Sequence, residues 1–514
     1  MENFYTPSVK SRPQNRAGSH KSALSLACPI LLILLAGCAA GPDYVRPAAT
    51  LPSAYTAEPA VTTVASDTKL GEAQTFVAER DIPAQWWELF HSQPLNDLVA
   101  ASLKRNPNVD AAQAALRGAM ESVYAQQGFF YPTVDASFAP TRQKVASTLA
   151  SGASSGASYY NLYTAQVSVS YTADVFGANR RQVESLKAQA ESQRFQLEAT
   201  YLTLSSNVVS AAIQEAGLRG QIDATKEIIA SQTKLMDMFN RQYQLGQVAV
   251  ADVAAQEAAL AAAEATLPPL EKQLAIQRDL LNALAGRFPS ESSTAKFNLD
   301  SLQLPTELPL SLPSTLVEHR PDVRAAEELL HAASADVGVA AANRLPNITL
   351  GISSYGSAAL TLADLFKSGT GFWQLAGGLT QPVFDGGTLE HRESAAKAAY
   401  DQAAAQYRAT VLNAFQNVAD SLQAIQLDAV ALRAADKAER AAAKSLAIAR
   451  RQLALGDIST LMLLGTEQTY QQAKLNLVQA QANRLQDTVA LFQSLGGGFW
   501  NKPAQEAAAK TAAN

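Results

Sequence analysis

The sequence predicts an α+β membrane protein built from two like halves, each a β-hairpin followed by a very long helical hairpin. Three observations carry this. First, Asn106-Pro107-Asn108-Val109-Asp110-Ala111-Ala112 returns as Arg320-Pro321-Asp322-Val323-Arg324-Ala325-Ala326, and at the same offset Tyr131-Pro132-Thr133-Val134 faces Leu345-Pro346-Asn347-Ile348. Arg241-Gln242-Tyr243-Gln244-Leu245-Gly246 likewise returns as Arg451-Gln452-Leu453-Ala454-Leu455-Gly456. A repeat of about 210 residues is too long for a solenoid unit and marks a duplicated, domain-sized module. Second, Tyr163, Ala165, Val167, Val169 and Tyr171 alternate with Thr164, Gln166, Ser168 and Ser170, which gives a strand one apolar and one wet face. Third, Thr388 to Leu455 contains neither Gly nor Pro, enough for roughly 100 Å of helix.

The chain opens with Lys10, Arg12, Arg16 and Lys21 ahead of an apolar run from Ala23 to Ala36, the layout of a secretory signal. The run is shorter than the roughly 20 residues a spanning helix needs. It ends in Leu35-Ala36-Gly37-Cys38, which resembles the lipobox of bacterial lipoproteins. The resemblance implies cleavage after residue 37, a lipid on Cys38 and, with Ala39 rather than Asp next, sorting to the outer membrane. A signal that removes four basic residues and one acidic residue turns the formal charge of −5 into −8. Cys28 leaves with it and Cys38 carries lipid, so no disulfide is expected. Charged residues make up 17 % of the chain; with a negative net charge, this argues against a nucleic-acid partner.

Residues 38–80, rich in Ala, Pro, Thr and Ser, read as a lipidated tether. The first repeat is expected over 81–300. It holds a helix from Leu95 to about Gly128 broken near Pro107, a hairpin of 133–145 with 159–175, a helix from about Ala178 to Tyr243, and a second helix over Val250–Ala285 interrupted at Pro268-Pro269. The second repeat, 301–500, follows the same order: a hairpin of 347–356 with 372–384, then helices over 388–455 and 459–495. Residues 501–514 form an Ala/Lys-rich tail. Each long helix ends in Leu-Gly (Leu245-Gly246, Leu455-Gly456), a stop through the left-handed conformation that Gly permits.

Period-two strands fit either a half-buried sheet or a transmembrane barrel; helices of this length, far beyond a compact domain, favour the barrel. Outside the signal no apolar run is long enough to span a membrane as a helix, so crossing would use β-strands that must close. Four strands per chain are too few for the eight or so a barrel needs, so several chains must contribute.

The lipobox followed by Gly41-Pro42-Asp43-Tyr44-Val45-Arg46-Pro47, then Trp86-Trp87, then His319-Arg320-Pro321-Asp322-Val323-Arg324-Ala325-Ala326-Glu327, then Gln381-Pro382-Val383-Phe384-Asp385-Gly386-Gly387, resembles the TolC/NodT-type outer-membrane factors from Cys38 to about Trp500. That resemblance implies a homotrimer with a 12-stranded transmembrane barrel, four strands per chain, and a long α-helical periplasmic tunnel. It also implies the exit duct of a tripartite exporter, reached by an inner-membrane pump, commonly of the resistance–nodulation–division (RND) type, through a periplasmic adaptor.

The chemistry-bearing residues agree with a non-enzyme. Gly152-Ala153-Ser154-Ser155-Gly156 fits a nucleophile-elbow pattern but lies in a Ser/Gly loop rather than a strand-to-helix turn. The five histidines lack metal-ligand spacing, and His319 and His331 read as solvated basic positions. No cofactor or metal is expected. In the family the tunnel closes at the helical tips, where rings of Asp attract cations. Gly465 stands where Asp is common, so Asp252 and Asp457 are the candidate gate carboxylates. Each also fits a helix N-terminal Asp that compensates the dipole. The tips at Leu245, Gly246, Leu455 and Gly456 are the expected adaptor contacts. Two other readings, a lipid-anchored periplasmic coiled-coil adaptor and an enzyme, are disfavoured by the duplicated hairpins and by the missing catalytic constellation.

Overall fold

A computed structural model describes residues 39–47, 52–58, 62–144, 159–291 and 295–501. The signal, Cys38, the Gly152–Gly156 motif and residues 502–514 lie outside the described residues. In chain order the elements are β1 (Thr75–Ala78), α1 (Gln93–Arg105), α2 (Pro107–Gln127), β2 (Thr133–Lys144), β3 (Tyr159–Ala173), α3 (Ala178–Gln244), α4 (Val250–Leu284), β4 (Glu307–Leu310), α5 (Pro313–His319), α6 (Pro321–Ala342), β5 (Asn347–Ala359), β6 (Gly371–Thr380), α7 (Thr388–Leu455) and α8 (Thr460–Ser494). The order helix, two strands, long helix, helix thus occurs twice. α3 has 67 residues and α7 has 68. None of the described helices is long and apolar enough to cross a membrane.

Two compact units emerge. Among the described residues, the first comprises 39–43, 126–144, 159–184 and 335–396. Its centre is a four-stranded sheet in the order β2-β3-β5-β6, antiparallel throughout. Both long helices start here, each from an aspartate. Asp174 accepts from the backbone N–H groups of Asn179 and Arg180, both at 2.9 Å, and Asp385 accepts from those of Gly387 (2.9 Å) and Leu389 (2.8 Å). Unpaired N–H groups at a helix start favour such a carboxylate, and the Leu389 bond above all holds Asp385 below the usual carboxylate range. β6 stops at Thr380, short of the expected residue 384, because Pro382 has no N–H to give a ladder.

The second unit takes in the described residues of 44–125 and 185–334, and 397–501. Its apolar core gathers Trp86, Phe90, Ile213, Leu485 and Phe492, with Trp86 and Phe492 ring centroids 5.4 Å apart. Alanine lets the helices close up: Ala211, Ala212, Ala216 and Ala414 are all buried. The mid-helix glycines serve the same approach, since a Cβ on Gly217 would lie 3.1 Å from Ala482 Cβ, and one on Gly220 would lie 2.9 Å from Val478 Cγ1. The interruption expected at Pro268-Pro269 is absent: α4 runs through both. Both prolines and Glu264 and Ala265, one turn earlier, are exposed, so the carbonyls they leave unpaired are met by water.

The N-terminal segment, whose one regular element is β1, is built into this unit. β1 pairs in parallel with β4, and Leu70 and Gln74 are buried. Arg484, fully buried on α8, holds the segment by donating to the carbonyls of Leu70 (2.7 Å) and Glu72 (3.0 Å) and to Gln74 Oε1 (2.9 Å). Two of the sequence motifs meet here as well. Arg46 pairs with the buried Glu327 at 2.8 Å, and Tyr44 stacks on His331 with centroids 4.3 Å apart. His319 packs on Trp500 at 4.7 Å. The two histidines expected to be solvated therefore serve in packing, their rings supplying flat faces for aromatic partners.

Candidate channel and gate

In the sheet, Ala136, Val167, Tyr355 and Trp373 form one cross-strand row, and Asp135, Ser168, Ser354 and Gln374 form the next. Because side chains alternate, the first row and its neighbours share one face: Val134, Phe138, Leu375 and Leu379, all exposed. The opposite face carries Thr133, Asp135, Gln166, Ser168 and Ser170. One irregularity preserves this division. Val169 faces Ser353 but Tyr171 faces Leu350, so β5 spends one extra residue there, a β-bulge. The extra residue puts Leu350 and Ile348 on the same face as Tyr355, although their positions differ by odd numbers. Thr349 falls on the polar side, opposite Thr172.

The helical tips are two copies of one turn. Gly246 N–H donates to Tyr243 O at 2.9 Å and Gln247 N–H to Gln242 O at 2.8 Å; Gly456 N–H donates to Leu453 O at 3.0 Å and Asp457 N–H to Gln452 O at 2.9 Å. This is the Schellman pattern, and both glycines adopt the positive φ it demands, +69° and +80°. Each turn pushes its leucine into solvent: Leu245 is 73 % exposed and Leu455 70 %. Val250, Leu461 and Met462 extend the exposed apolar surface.

The candidate gate carboxylates differ in role. Asp252, in the first turn of α4, accepts from the Ala249 N–H at 3.2 Å and so caps its helix. Asp457 does not cap: Ser459 is the N-cap of α8, accepting from Met462 N–H, and Asp457 stands exposed in the turn. Gly465 lines a groove of about 1520 Å³ with Ala259, Ala263, Leu464 and Gln468. A Cβ there would meet nothing within 4 Å.

One node was not anticipated. Glu467, 2 % exposed, accepts from Gln232 Nε2 (2.6 Å) and Arg450 Nη2 (3.2 Å); Arg450 also donates to Ser231 Oγ (2.6 Å), and Gln256 Nε2 donates to Gln232 Oε1 (2.6 Å). Burial pushes the Glu467 carboxyl above its usual range, partly countered by Arg450 and Gln232. The node ties α3, α4, α7 and α8 together. The signal in the sequence was spacing: Glu467 lies one turn beyond the fully buried Leu463, so its carboxylate had to face inward.

A four-stranded sheet with one apolar and one polar face, on a chain otherwise of very long helices, defines the class of outer-membrane export channels. The Outer membrane efflux protein family matches residues 98–287 and 312–497, and the chain belongs to it. It is 27 % identical over 486 residues to the probable efflux pump outer membrane protein TtgC of Pseudomonas putida, covering 94 % of this chain and 97 % of that one. To the pyoverdine export outer membrane protein OpmQ of Pseudomonas aeruginosa it is 30 % identical over 433 residues, covering 83 % and 90 %. Among solved structures it resembles the outer-membrane channel OprN with a TM-score of 0.80 and 26 % identity, over 90 % of this chain and all of that one. The open state of the Neisseria gonorrhoeae MtrE channel matches with a TM-score of 0.75 and 25 % identity, covering 90 % and 99 %. The protein is the outer-membrane channel component of a tripartite efflux system, giving passive exit to small molecules delivered from the inner membrane.

Proposed function

We propose that three copies close a 12-stranded barrel, anchored by lipid on Cys38 and leading from an α-helical periplasmic tunnel made by the two repeats, 81–300 and 301–500. The observation that carries this is the sheet: four strands, apolar on one face, with β2 and β6 unpaired at its edges. In lipid an unpaired edge is prohibitively costly, and four strands are too few to close. A further copy must therefore pair at each edge.

In this reading the tips are the periplasmic gate and the adaptor contact. Leu245, Gly246, Leu455 and Gly456 meet a periplasmic adaptor, which couples the channel to an RND-type pump. Asp457 is the better candidate for a carboxylate ring, because it is free of the capping that occupies Asp252, and Gly465 leaves its own level of the tunnel open. The Glu467 node restrains the four helices near the closed end. The full-length protein should run in detergent as a trimer that falls to monomer on heating, and should conduct ions in planar bilayers. A monomer without conductance would defeat the proposal.

A further inference from the structure

Beyond the apolar band, the face that carries Val134 and Phe138 changes character. The next residues of the same parity on β2 are Pro140, Arg142 and Lys144, and their partners on β3 are Tyr163, Asn161 and Tyr159. Val134 to Lys144 is about 34 Å of strand, and at a tilt of about 40° it rises about 26 Å, the height of the apolar band of an outer-membrane barrel. Because β2 begins next to α2 and ends away from it, Arg142 and Lys144 fall at the distal, cell-exterior border of that band. Both side chains are exposed. Lys144 Nζ lies 5.2 Å from the Tyr159 ring centroid, and neither cation has a carboxylate partner among the described residues. Lys367, at the same end of the sheet, is by contrast already paired with Asp364 at 2.5 Å. The carboxylate of β2, Asp135, belongs to the opposite face.

We propose that Arg142 and Lys144, with Tyr159 and Tyr163, form a lipid-headgroup site on the barrel exterior that binds a phosphate-bearing lipid of the outer leaflet. This rests on the barrel reading above. A cation is tolerated on the lipid side only near an interface, where long side chains reach the headgroups. Two cations spaced along one strand face, backed by tyrosine rings that sit at headgroup depth, suit an anionic headgroup with more than one phosphate. Arg supplies a fork of N–H donors for phosphate oxygens and Lys a mobile point charge.

The test uses the full-length protein in nanodiscs of zwitterionic phospholipid. It is titrated with bisphosphorylated lipid A and with the same lipid after removal of its phosphates, and bound lipid is counted by mass spectrometry. At about fivefold per cation, the phosphorylated form binds at least tenfold tighter. R142Q/K144Q loses that preference, R142K/K144R keeps it, and K437Q on α7 leaves it intact. Equal binding of the two lipids, an undiminished preference in R142Q/K144Q, or displacement of the lipid by millimolar inorganic phosphate overturns the site. Conductance is recorded on the same preparation. A channel that conducts without a phosphate preference refutes the lipid site alone, whereas a protein that neither inserts nor conducts removes the barrel and the site together.

Discussion

Val167→Arg is the sharpest perturbation of the sheet. Val167 stands near the middle of β3, in register with Ala136 on one side and Tyr355 on the other. About 20 Å of strand separates it from the helical end of β3, which in the proposed barrel would place it close to the bilayer midplane. A charge there costs about 2–4 kcal/mol, and because the row is apolar from Ala136 to Trp373 no neighbour offers a counter-charge. In a threefold assembly the same charge is introduced three times, so the total is about 6–12 kcal/mol per barrel. Ser168→Arg moves the same guanidinium one residue along, onto the row of Asp135, Ser354 and Gln374, where water and a carboxylate are at hand. Leu350→Arg and Thr349→Arg repeat the contrast across the bulge. The assay is the yield of heat-dissociable oligomer in isolated outer membranes. Val167→Arg and Leu350→Arg should abolish most of it while Ser168→Arg and Thr349→Arg retain it. Equal tolerance of both sets would refute the assignment of the faces, and loss at Thr349 with tolerance at Leu350 would refute the bulge.

In the helical unit, Asp487 on α8 is pushed up to about 7 by burial, by a hydrogen bond with Asp428 and by the charge of that group. The folded state therefore holds a proton that the unfolded chain releases near 4, so this stability is complete at low pH and drains away as pH rises from about 4 to 7. A displacement of that size in a dry interior is worth about 4 kcal/mol, and solvent screening of a half-buried pair cuts it to about 1–2 kcal/mol; Asp428→Asn should flatten the pH dependence of thermal unfolding by that amount, and an unchanged profile would show that the pair does not share a proton. At the gate, Asp457→Asn should lower cation selectivity in bilayers without loss of stability, Asp252→Asn should alter both, and Gly465→Asp, for which there is room, should introduce block by divalent cations; if none of the three changes the current, closure rests on helix packing alone. Glu467→Ala removes the acceptor of Gln232 Nε2 and the ion-pair partner of Arg450, which keeps only Ser231, at a cost of about 2–3 kcal/mol, and should raise open probability, so unaltered single-channel records would remove the node from gating. Cys38→Ser should abolish incorporation of labelled palmitate, and a wild-type protein that takes up no label would dispose of the lipid anchor.

The long helices were legible nearly to the residue because their signals are local. Thr388–Leu455 lacks any breaker, and each tip ends at the glycine its turn requires. The strands were legible in period, but the bulge in β5 was not, since only the register with β3 reveals that Leu350 and Tyr355 share a face. Other misses came from partners far away in sequence. Nothing in Pro268-Pro269 says that its turn faces water, and nothing near His331 announces Tyr44. The same holds near the helical tips. The spacing of Glu467 to Leu463 is visible in the sequence, but its partner Gln232, and Gln256 behind that, come from the other half of the chain. That Ser459 rather than Asp457 caps α8 depended on where the helix began, a boundary that composition leaves loose by a few residues.

The seating of Leu70 and Glu72 by Arg484 spans 414 and 412 positions of the chain. A polypeptide delivered N-terminus first therefore presents its earliest ordered segment long before the helix that fastens it exists. Loop closure over such a length adds little to the equilibrium cost, since that cost grows only with the logarithm of length, but it delays the event. β1 gains its partner strand only with β4, and until α8 arrives residues 70–74 lack the guanidinium that holds them. The two ends of the chain can consequently be joined only after the whole of it has been delivered, and a protein truncated before residue 484 could not fasten residues 70–74 in this way.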